Sequence, residues 1–151
     1  KYFKDPKILF IRLRNKSLGR KLIAAYDDSG FYNRDNFNNI IQKDANYSLK
    51  YILALFNSTL INYWYKSHFD NVNINPEQVR MIPIKKSSDQ NEFIKIVDQI
   101  SDVKNSDGFL DDEEKQKKVS EYEKRMNEMV YMLYDLTQKE VEIVERSVKN
   151  K

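Results

Sequence analysis

A chain of 151 residues, 40% hydrophobic and 13% aromatic, suits one compact domain, and three Gly and three Pro are too few for a loop-rich all-β sandwich. The absence of Cys excludes disulfides and thiolate–metal sites, and a single His excludes a multi-histidine metal cluster. No apolar run approaches the roughly 20 residues needed to cross a bilayer, so we expect a cytoplasmic protein without a membrane partner.

Charge is distributed unevenly along the chain. Residues 1–101 carry 16 Lys and Arg against 10 Asp and Glu, whereas residues 102–151 carry 10 against 13. Within residues 1–21, eight basic residues stand against Asp5 alone. Such a segment is typical of a surface that meets a polyanion, although a solvated lysine-rich face has the same composition. The chain does not begin with Met, and we expect it to be part of a longer protein.

The first 41 residues favour β-structure. Lys7–Leu13 mixes β-branched and aromatic residues without helical spacing, which indicates a strand. Two apolar runs flank Asp27–Gly30, where Gly30 can adopt a positive φ, and this pattern predicts a β-hairpin. Asn36–Ile41 is expected to continue the sheet.

One helix is predicted after these strands, capped by Ser48 and ending near Phe69, because apolar residues recur at intervals of three and four. Its wide aromatic stripe should bury against the sheet, with Trp64 in the core rather than forming a ligand platform. Two short strands are then expected at Asn71–Ile74 and Met81–Ile84, with a helical turn opened by Pro76 between them.

Three amphipathic helices are predicted in the remainder. The first is capped by Ser88 or Asp89 and ends near Asn105. A long helix follows Phe109 and ends at Tyr134. Thr137 and Glu140 form a capping-box sequence that introduces the last helix.

These elements predict an α+β fold, in which a small mixed β-sheet packs on an aromatic-rich helix and is followed by a C-terminal helical hairpin or extension. We divide the chain into an α+β domain at residues 1–104 and a C-terminal helical extension of the same unit at residues 105–151.

Catalytic motifs are absent from the sequence. His68 lies next to Lys66 and Asp70, but no motif fixes a nucleophile or a partner acid for it, and no Gly-x-Ser-x-Gly elbow occurs. Asp111–Glu114 and Lys115 have the residue types of a metal-dependent nuclease, but an acidic run at a helix start is usually solvated. No glycine-rich phosphate loop occurs. We therefore expect no catalytic residue, no metal site and no cofactor in this chain, and cleavage of DNA by the acidic run stays a third hypothesis.

Cationic and amide side chains cluster around the predicted sheet loops. Arg suits guanine and Asn suits adenine, whereas Lys more naturally meets phosphate. An ordinary polar surface would have a similar composition. The candidate DNA-binding residues are Arg12, Arg14, Lys16, Arg20, Lys21, Asn33, Arg34, Asn36, Lys66 and His68.

Four segments together resemble the TaqI-like C-terminal specificity domain. They are KLIAAYDDSGFYNRDNFNNII, NYSLKYILALFNSTLINYWYKSHF, VNINPEQVRMIPIKK and MVYMLYDLTQKEVEIVE, in that order. This family occurs in single-chain type II (type IIG-like) restriction-modification enzymes, and the final segment is also similar to type I specificity subunits.

The resemblance implies a target recognition domain that binds double-stranded DNA and is not catalytic by itself. The parent would be an adenine-type DNA methyltransferase of a bacterial defence system, with or without endonuclease activity. Its methyltransferase domain would then be a partner within the same chain, and S-adenosylmethionine and any Mg²⁺ would belong to those other domains.

The alternative is a helical docking module that positions the parent methyltransferase or a partner subunit. Its contact seam would be the stripe of Tyr122, Met126, Met129 and Leu133. Binding of DNA that weakens steeply with salt would favour the recognition domain over this alternative.

Overall fold

A computed structural model describes residues 4–13, 20–32 and 35–149 of the protein. In these residues, three strands are followed by six helices. The strands are β1 (Lys7–Ile11), β2 (Ala24–Asp27) and β3 (Phe37–Ile41), and the helices are α1 (Leu49–Asn57), α2 (Thr59–His68), α3 (Pro76–Val79), α4 (Asn91–Lys104), α5 (Glu113–Leu133) and α6 (Gln138–Lys149). A short 3-10 turn at Phe109–Asp111 precedes α5.

The strands form one antiparallel sheet in the order β2-β1-β3. Leu9 at the centre of β1 pairs with Ala25 on β2 and with Asn39 on β3. The predicted α+β class is confirmed. The described strands are antiparallel throughout, however, where we expected a mixed sheet.

The hairpin predicted around Asp27–Gly30 is wrong. β2 pairs with β1, and Phe31 and Tyr32 are exposed and form no strand, whereas Asn33 lies outside the described residues. The carboxylate of Asp27 accepts hydrogen bonds from the backbone N–H groups of Ser29 and Phe31, at 3.1 and 2.9 Å. These local bonds fold a turn in place of a strand ladder, and Gly30 has the expected positive φ of 78°.

The single helix predicted from Ser48 to Phe69 is two helices, because the chain is extended at Ser58, with φ −70° and ψ 152°. The Ser58 hydroxyl accepts a hydrogen bond from the Ile61 N–H at 3.2 Å and donates one to the Leu55 carbonyl at 2.6 Å. One buried serine therefore satisfies backbone groups at both helix ends. Both helices pack on the core on either side of the break.

The two short strands expected after α2 do not form. Asn71–Ile74 contributes only one isolated antiparallel bridge, between Leu13 and Asn73, and Met81–Ile84 has no strand at all. The helical turn between them is present as α3, and the side chain of Asn75 caps it by accepting the Glu77 N–H.

Two tyrosine hydroxyls form hydrogen bonds with backbone groups at and just after Met81–Ile84, where the second of these strands was expected. Tyr134 donates to the Pro83 carbonyl at 2.6 Å and accepts from the Lys85 N–H at 3.0 Å. Tyr51 donates to the Lys85 carbonyl at 2.6 Å. Because Pro83 has no N–H of its own, side-chain partners from α1 and from the end of α5 can replace a strand ladder here.

The core lies between the inner face of the sheet and α1, and it continues through α4 to α5. Phe10 on β1 contacts Phe56 on α1 with 5.3 Å between the ring centroids, and Tyr51 meets Phe93 on α4 edge to face at 5.1 Å. Each large apolar side chain buried here stabilises the fold by roughly 1.5 to 3 kcal/mol. The expected packing of the sheet on an aromatic-rich helix is confirmed. The most buried core side chains include Ile8, Leu22, Leu55, Phe56, Ile61, Ile74 and Val130.

The three C-terminal helices form where their periodicity predicted them. The capping box at the start of α6 has both of its bonds, from the Thr137 N–H to the Glu140 carboxylate at 2.7 Å and from the Glu140 N–H to the Thr137 hydroxyl at 3.3 Å. Helix α5 packs along α4, and α6 lies against α2 with Val144 buried. The proposed boundary at residue 104 stays a prediction.

Candidate nucleic-acid interface

Three chain segments meet at the end of the sheet where β1 ends and β3 begins. The Arg12 N–H donates to the Asn36 carbonyl at 2.9 Å, and the Ile74 N–H donates to the Arg12 carbonyl at 2.7 Å. We call residues 12–13, 35–38 and 71–74 together the sheet end. Of the predicted DNA-binding residues, Arg12 and Asn36 lie in it, whereas four lie outside the described residues: Arg14, Lys16, Asn33 and Arg34.

Arg12 presents an exposed guanidinium at the sheet end. Within the described chain, its Nη1 makes one long hydrogen bond, of 3.5 Å, to the backbone carbonyl of Asp35. Its backbone, by contrast, is held on both sides by Asn36 and Ile74. The side chain is therefore accessible on a fixed backbone, which is the arrangement that a base-reading arginine requires.

Polar and apolar side chains accompany Arg12 on the three segments of the sheet end. The side chain of Asn36 is exposed, and that of Asn38 donates to the Ile74 carbonyl at 3.3 Å. Three large apolar side chains are also exposed at the sheet end: Leu13 by 53%, Phe37 by 38% and Val72 by 46%. Several exposed apolar side chains beside a guanidinium indicate a binding surface more than a solvated one.

Arg20 and Lys21 point towards the interior instead. The Arg20 guanidinium donates through Nη2 to the Asn57 carbonyl at 2.7 Å. Lys21 is 1% exposed, and its ammonium donates to the Asn71 carbonyl. This burial does not fit the predicted phosphate contact of Lys21, because a phosphate could reach the ammonium only if the surrounding segments moved.

Lys66 and His68 lie in the last turn of α2, which leads into residues 71–74 of the sheet end. The exposed His68 ring stacks on Trp64 at 4.2 Å between centroids, and its Nδ1 lies 2.7 Å from the Trp64 carbonyl. A ring nitrogen this close to a carbonyl oxygen donates to it, so the bond to Trp64 orients the ring and does not use Nε2. As expected, Trp64 packs against the core.

The sequence interpretation missed two asparagines at the break between α1 and α2. The buried Asn62 side chain accepts from the Leu22 N–H at 2.7 Å and donates to the carbonyls of Phe56 and Ser58, at 3.2 and 2.9 Å. The Asn57 amide bonds to the backbone of the residue at position 24. The run Asn-Ser-Thr inside an apolar helical pattern was the available signal, since these residue types compete with the helix for backbone bonds.

The far end of the sheet has an ion pair between Lys7, which is buried, and Asp27, with 2.6 Å between Nζ and Oδ2. Burial acts to raise the pKa of Asp27, but hydrogen bonds from Lys7, Ser29 and Phe31 outweigh it and lower the pKa to about 2. This pair lies on cross-strand partners of β1 and β2, so it locks their register.

The acidic run Asp111–Glu114 spans the start of α5, where Asp112 has a local structural role. Asp112 caps α5 by accepting the Lys115 N–H at 3.1 Å, and the Lys115 ammonium donates to the Asp107 carbonyl at 2.6 Å. No group of three or more metal-ligating side chains occurs among the described residues. Within the same ranges, no helix combines the length and apolarity that a membrane span requires.

The sheet end presents an arginine, amides and apolar side chains on a fixed backbone, which are side-chain types that recognition surfaces use. The chain belongs to the TaqI-like C-terminal specificity domain family, whose family model matches residues 1–84. Such domains recognise the DNA target in restriction-modification enzymes and are typically non-catalytic. Three of the four segments that carry the sequence resemblance fall largely within this match, and the C-terminal one lies outside it. A comparison with curated proteins gives no match.

Proposed function

We propose that this chain is the target recognition domain of an adenine-type DNA methyltransferase in a restriction-modification system, and that the sheet end reads the base edges of duplex DNA. The observation that supports this assignment is the convergence of three segments on the backbone of Arg12, whose guanidinium is exposed. Sequence-reading contacts need side chains that reach outward from a rigid backbone, and the sheet end provides both.

Each exposed side chain at the sheet end has a chemical counterpart in the major groove. Arg12 can donate two parallel hydrogen bonds to guanine, and Asn36 can pair with the edge of adenine. Leu13 and Val72 suit the methyl group of thymine. Lys66, on the adjoining end of α2, is placed to meet a phosphate and would add affinity without sequence information.

Catalysis is assigned to another domain of the parent protein. The sequence has no glycine-rich nucleotide loop and no Asn-Pro-Pro-Tyr motif. We therefore assign S-adenosylmethionine and any Mg²⁺ to a methyltransferase domain that contacts this one. In such an enzyme the target base leaves the stack, and the role of this domain is to hold the distorted duplex.

The side chains expected to form the contact seam of a helical docking module pack inside this chain instead. Met126 is buried, and Tyr122, Met129 and Leu133 pack against the same core cluster. A stripe that stabilises its own fold is not available to a partner chain.

Binding to a duplex pool with a randomised centre tests the proposal. We expect the affinity of the unaltered chain to fall steeply between about 50 and 200 mM salt, because bound phosphates release counterions. Arg12→Ala should weaken binding to duplexes selected from the pool by roughly 5- to 150-fold, or about 1 to 3 kcal/mol. Arg125→Ala, at an exposed position on α5, is the matched control and should leave affinity unchanged. Equal effects of both variants would contradict the assignment of the sheet end.

A further inference from the structure

Lys21 is a charged side chain inside the protein. It is 1% exposed, and its ammonium donates to the backbone carbonyl of Asn71, 50 positions away in the chain. A buried charge is tolerated only where hydrogen bonds replace its lost hydration. The bond to Asn71 is such a replacement, and it ties the segment that leads into β2 to the sheet end.

Further hydrogen bonds fix the backbone next to Lys21 and the backbone that follows Asn71. Next to Lys21, the Leu22 N–H donates to the buried Asn62 side chain at 2.7 Å. Beyond Asn71, the Ile74 N–H donates to the Arg12 carbonyl at 2.7 Å. A continuous series of bonds therefore runs from the break between α1 and α2, through Lys21, to the backbone of Arg12.

We propose that Lys21 is a positioning residue for DNA recognition, which fixes residues 71–74 behind Arg12 and makes no contact with DNA itself. This inference rests on the proposed function of the sheet end. It also explains why a lysine occupies a buried position. Its long flexible stem reaches across to another segment, and its ammonium supplies up to three donors where an apolar side chain would supply none.

The salt dependence of binding separates a positioning role from a phosphate contact. A cation that neutralises a phosphate contributes close to one unit to the slope of log affinity against log salt, so its removal reduces that slope. A positioning residue changes how well Arg12 and its neighbours fit the base edges. Its loss should lower affinity by a similar factor at every salt concentration.

The experiment compares Lys21→Met with Lys66→Met in the 151-residue chain, using duplexes selected from the randomised pool. We expect Lys21→Met to weaken binding roughly tenfold with the slope unchanged, and Lys66→Met to reduce the slope by about one. We also expect Lys21→Met to accelerate hydrogen exchange at the Ile74 amide, because residues 71–74, which include that amide, become less constrained.

Three results would overturn the inference. A slope reduced by about one in Lys21→Met would show a phosphate contact. Faster exchange at Ile74 with unchanged affinity would show a role in stability alone, and unchanged exchange would show that Lys21 does not hold the segment. If the wild-type chain binds no duplex at any salt concentration, the proposed function fails instead, while the exchange rate at Ile74 still reports whether Lys21 restrains residues 71–74.

Chemical acetylation of the unaltered chain provides a second test that does not depend on the stability of a variant. Lys21 should stay unreactive with and without duplex, whereas Lys66 should react in the free chain and be protected by DNA. Rapid acetylation of Lys21 in the free chain would contradict its burial. Protection of Lys21 by added duplex would show that it contacts DNA after all.

Discussion

The side-chain amide of Asn57 pairs with the backbone of Ala24 in both directions. Its Oδ1 accepts the Ala24 N–H at 2.9 Å, and its Nδ2 donates to the Ala24 carbonyl at 2.9 Å. The amide thus occupies the outer edge of β2 as a neighbouring strand would. An exposed strand edge is a template for aggregation, and one side chain from the break between the helices covers part of this one.

Replacing Asn57 should therefore destabilise the protein and uncover the strand edge. We expect Asn57→Ala to lower the free energy of unfolding by about 1 to 3 kcal/mol, because two backbone groups lose their partner. Urea denaturation measures this loss. Asn91→Ala, at the exposed start of α4, is the control and should change stability by less than about 0.5 kcal/mol. Equal stability of the two variants would mean that water replaces the Asn57 amide without cost.

The ion pair between Lys7 and Asp27 predicts a loss of stability in acid. The pKa of Asp27 is lowered to about 2 in the folded protein, from a usual value of 3.8. Because the folded-state pKa is the lower one, this contribution is complete above about pH 4 and disappears as the pH falls towards 2. It is on the order of 2 kcal/mol.

Asp27→Asn isolates this contribution from the other carboxylates. The variant should be less stable than the wild-type chain at pH 7, and the difference should shrink between about pH 4 and pH 2. Unfolding by urea across this pH range is the measurement. Asp102→Asn changes an exposed carboxylate on α4 and should leave stability at pH 7 nearly unchanged. A constant difference between wild type and Asp27→Asn down to pH 2 would be evidence against the pairing.

The hydroxyl of Tyr51 predicts a loss of folding stability at alkaline pH, opposite to the loss in acid that Asp27 predicts. Burial raises the pKa of Tyr51 to about 12, so its contribution to stability is present below pH 10 and is lost as the pH rises towards 12. Tyr51→Phe should cost about 1 kcal/mol at pH 7, because the Lys85 carbonyl loses its donor. It should also unfold less steeply with pH between about 10 and 12 than the wild type. Tyr63→Phe is the control, and an identical alkaline transition in Tyr51→Phe would refute the role of its hydroxyl.

Local patterns in the sequence predicted some elements correctly and others not at all. Periodicity located α4, α5 and α6, because the apolar stripe of a helix is a property of neighbouring residues. Strand pairing depends on distant residues, so the pairing of β2 with β1 instead of with the run after Gly30 was not predictable from spacing. The strand expected at Met81–Ile84 failed for a related reason. Two tyrosines distant in sequence donate hydrogen bonds to the carbonyls of Pro83, within it, and Lys85, just after it.

In the candidate site too, the sequence predicted which residue types are present but not which of their side chains are exposed. Charge counts identified the basic segment but could not tell the exposed Arg12 from the buried Lys21, because orientation is decided by acceptors elsewhere in the chain. The acceptor of Lys21 is a backbone carbonyl at Asn71, which no sequence pattern marks. The break at Ser58 had a local signal in its residue types, and the apolar periodicity on either side outweighed it.

Helix α5 is expected to be indispensable to the fold even though the family match ends before it. It buries Val119, Met126 and Val130, each less than 5% exposed, and two of these belong to the same core cluster as β1 and α1. Three such side chains stabilise the fold by roughly 5 to 9 kcal/mol, which is comparable with the whole stability of a small domain.

A chain that ends at residue 108 should therefore lose its cooperative urea transition. A chain that ends at residue 136 lacks only α6 and should unfold cooperatively at a lower urea concentration, since it loses the burial of Val144. A sharp transition in the shorter chain would show instead that residues 1–104 fold independently of the C-terminal helices.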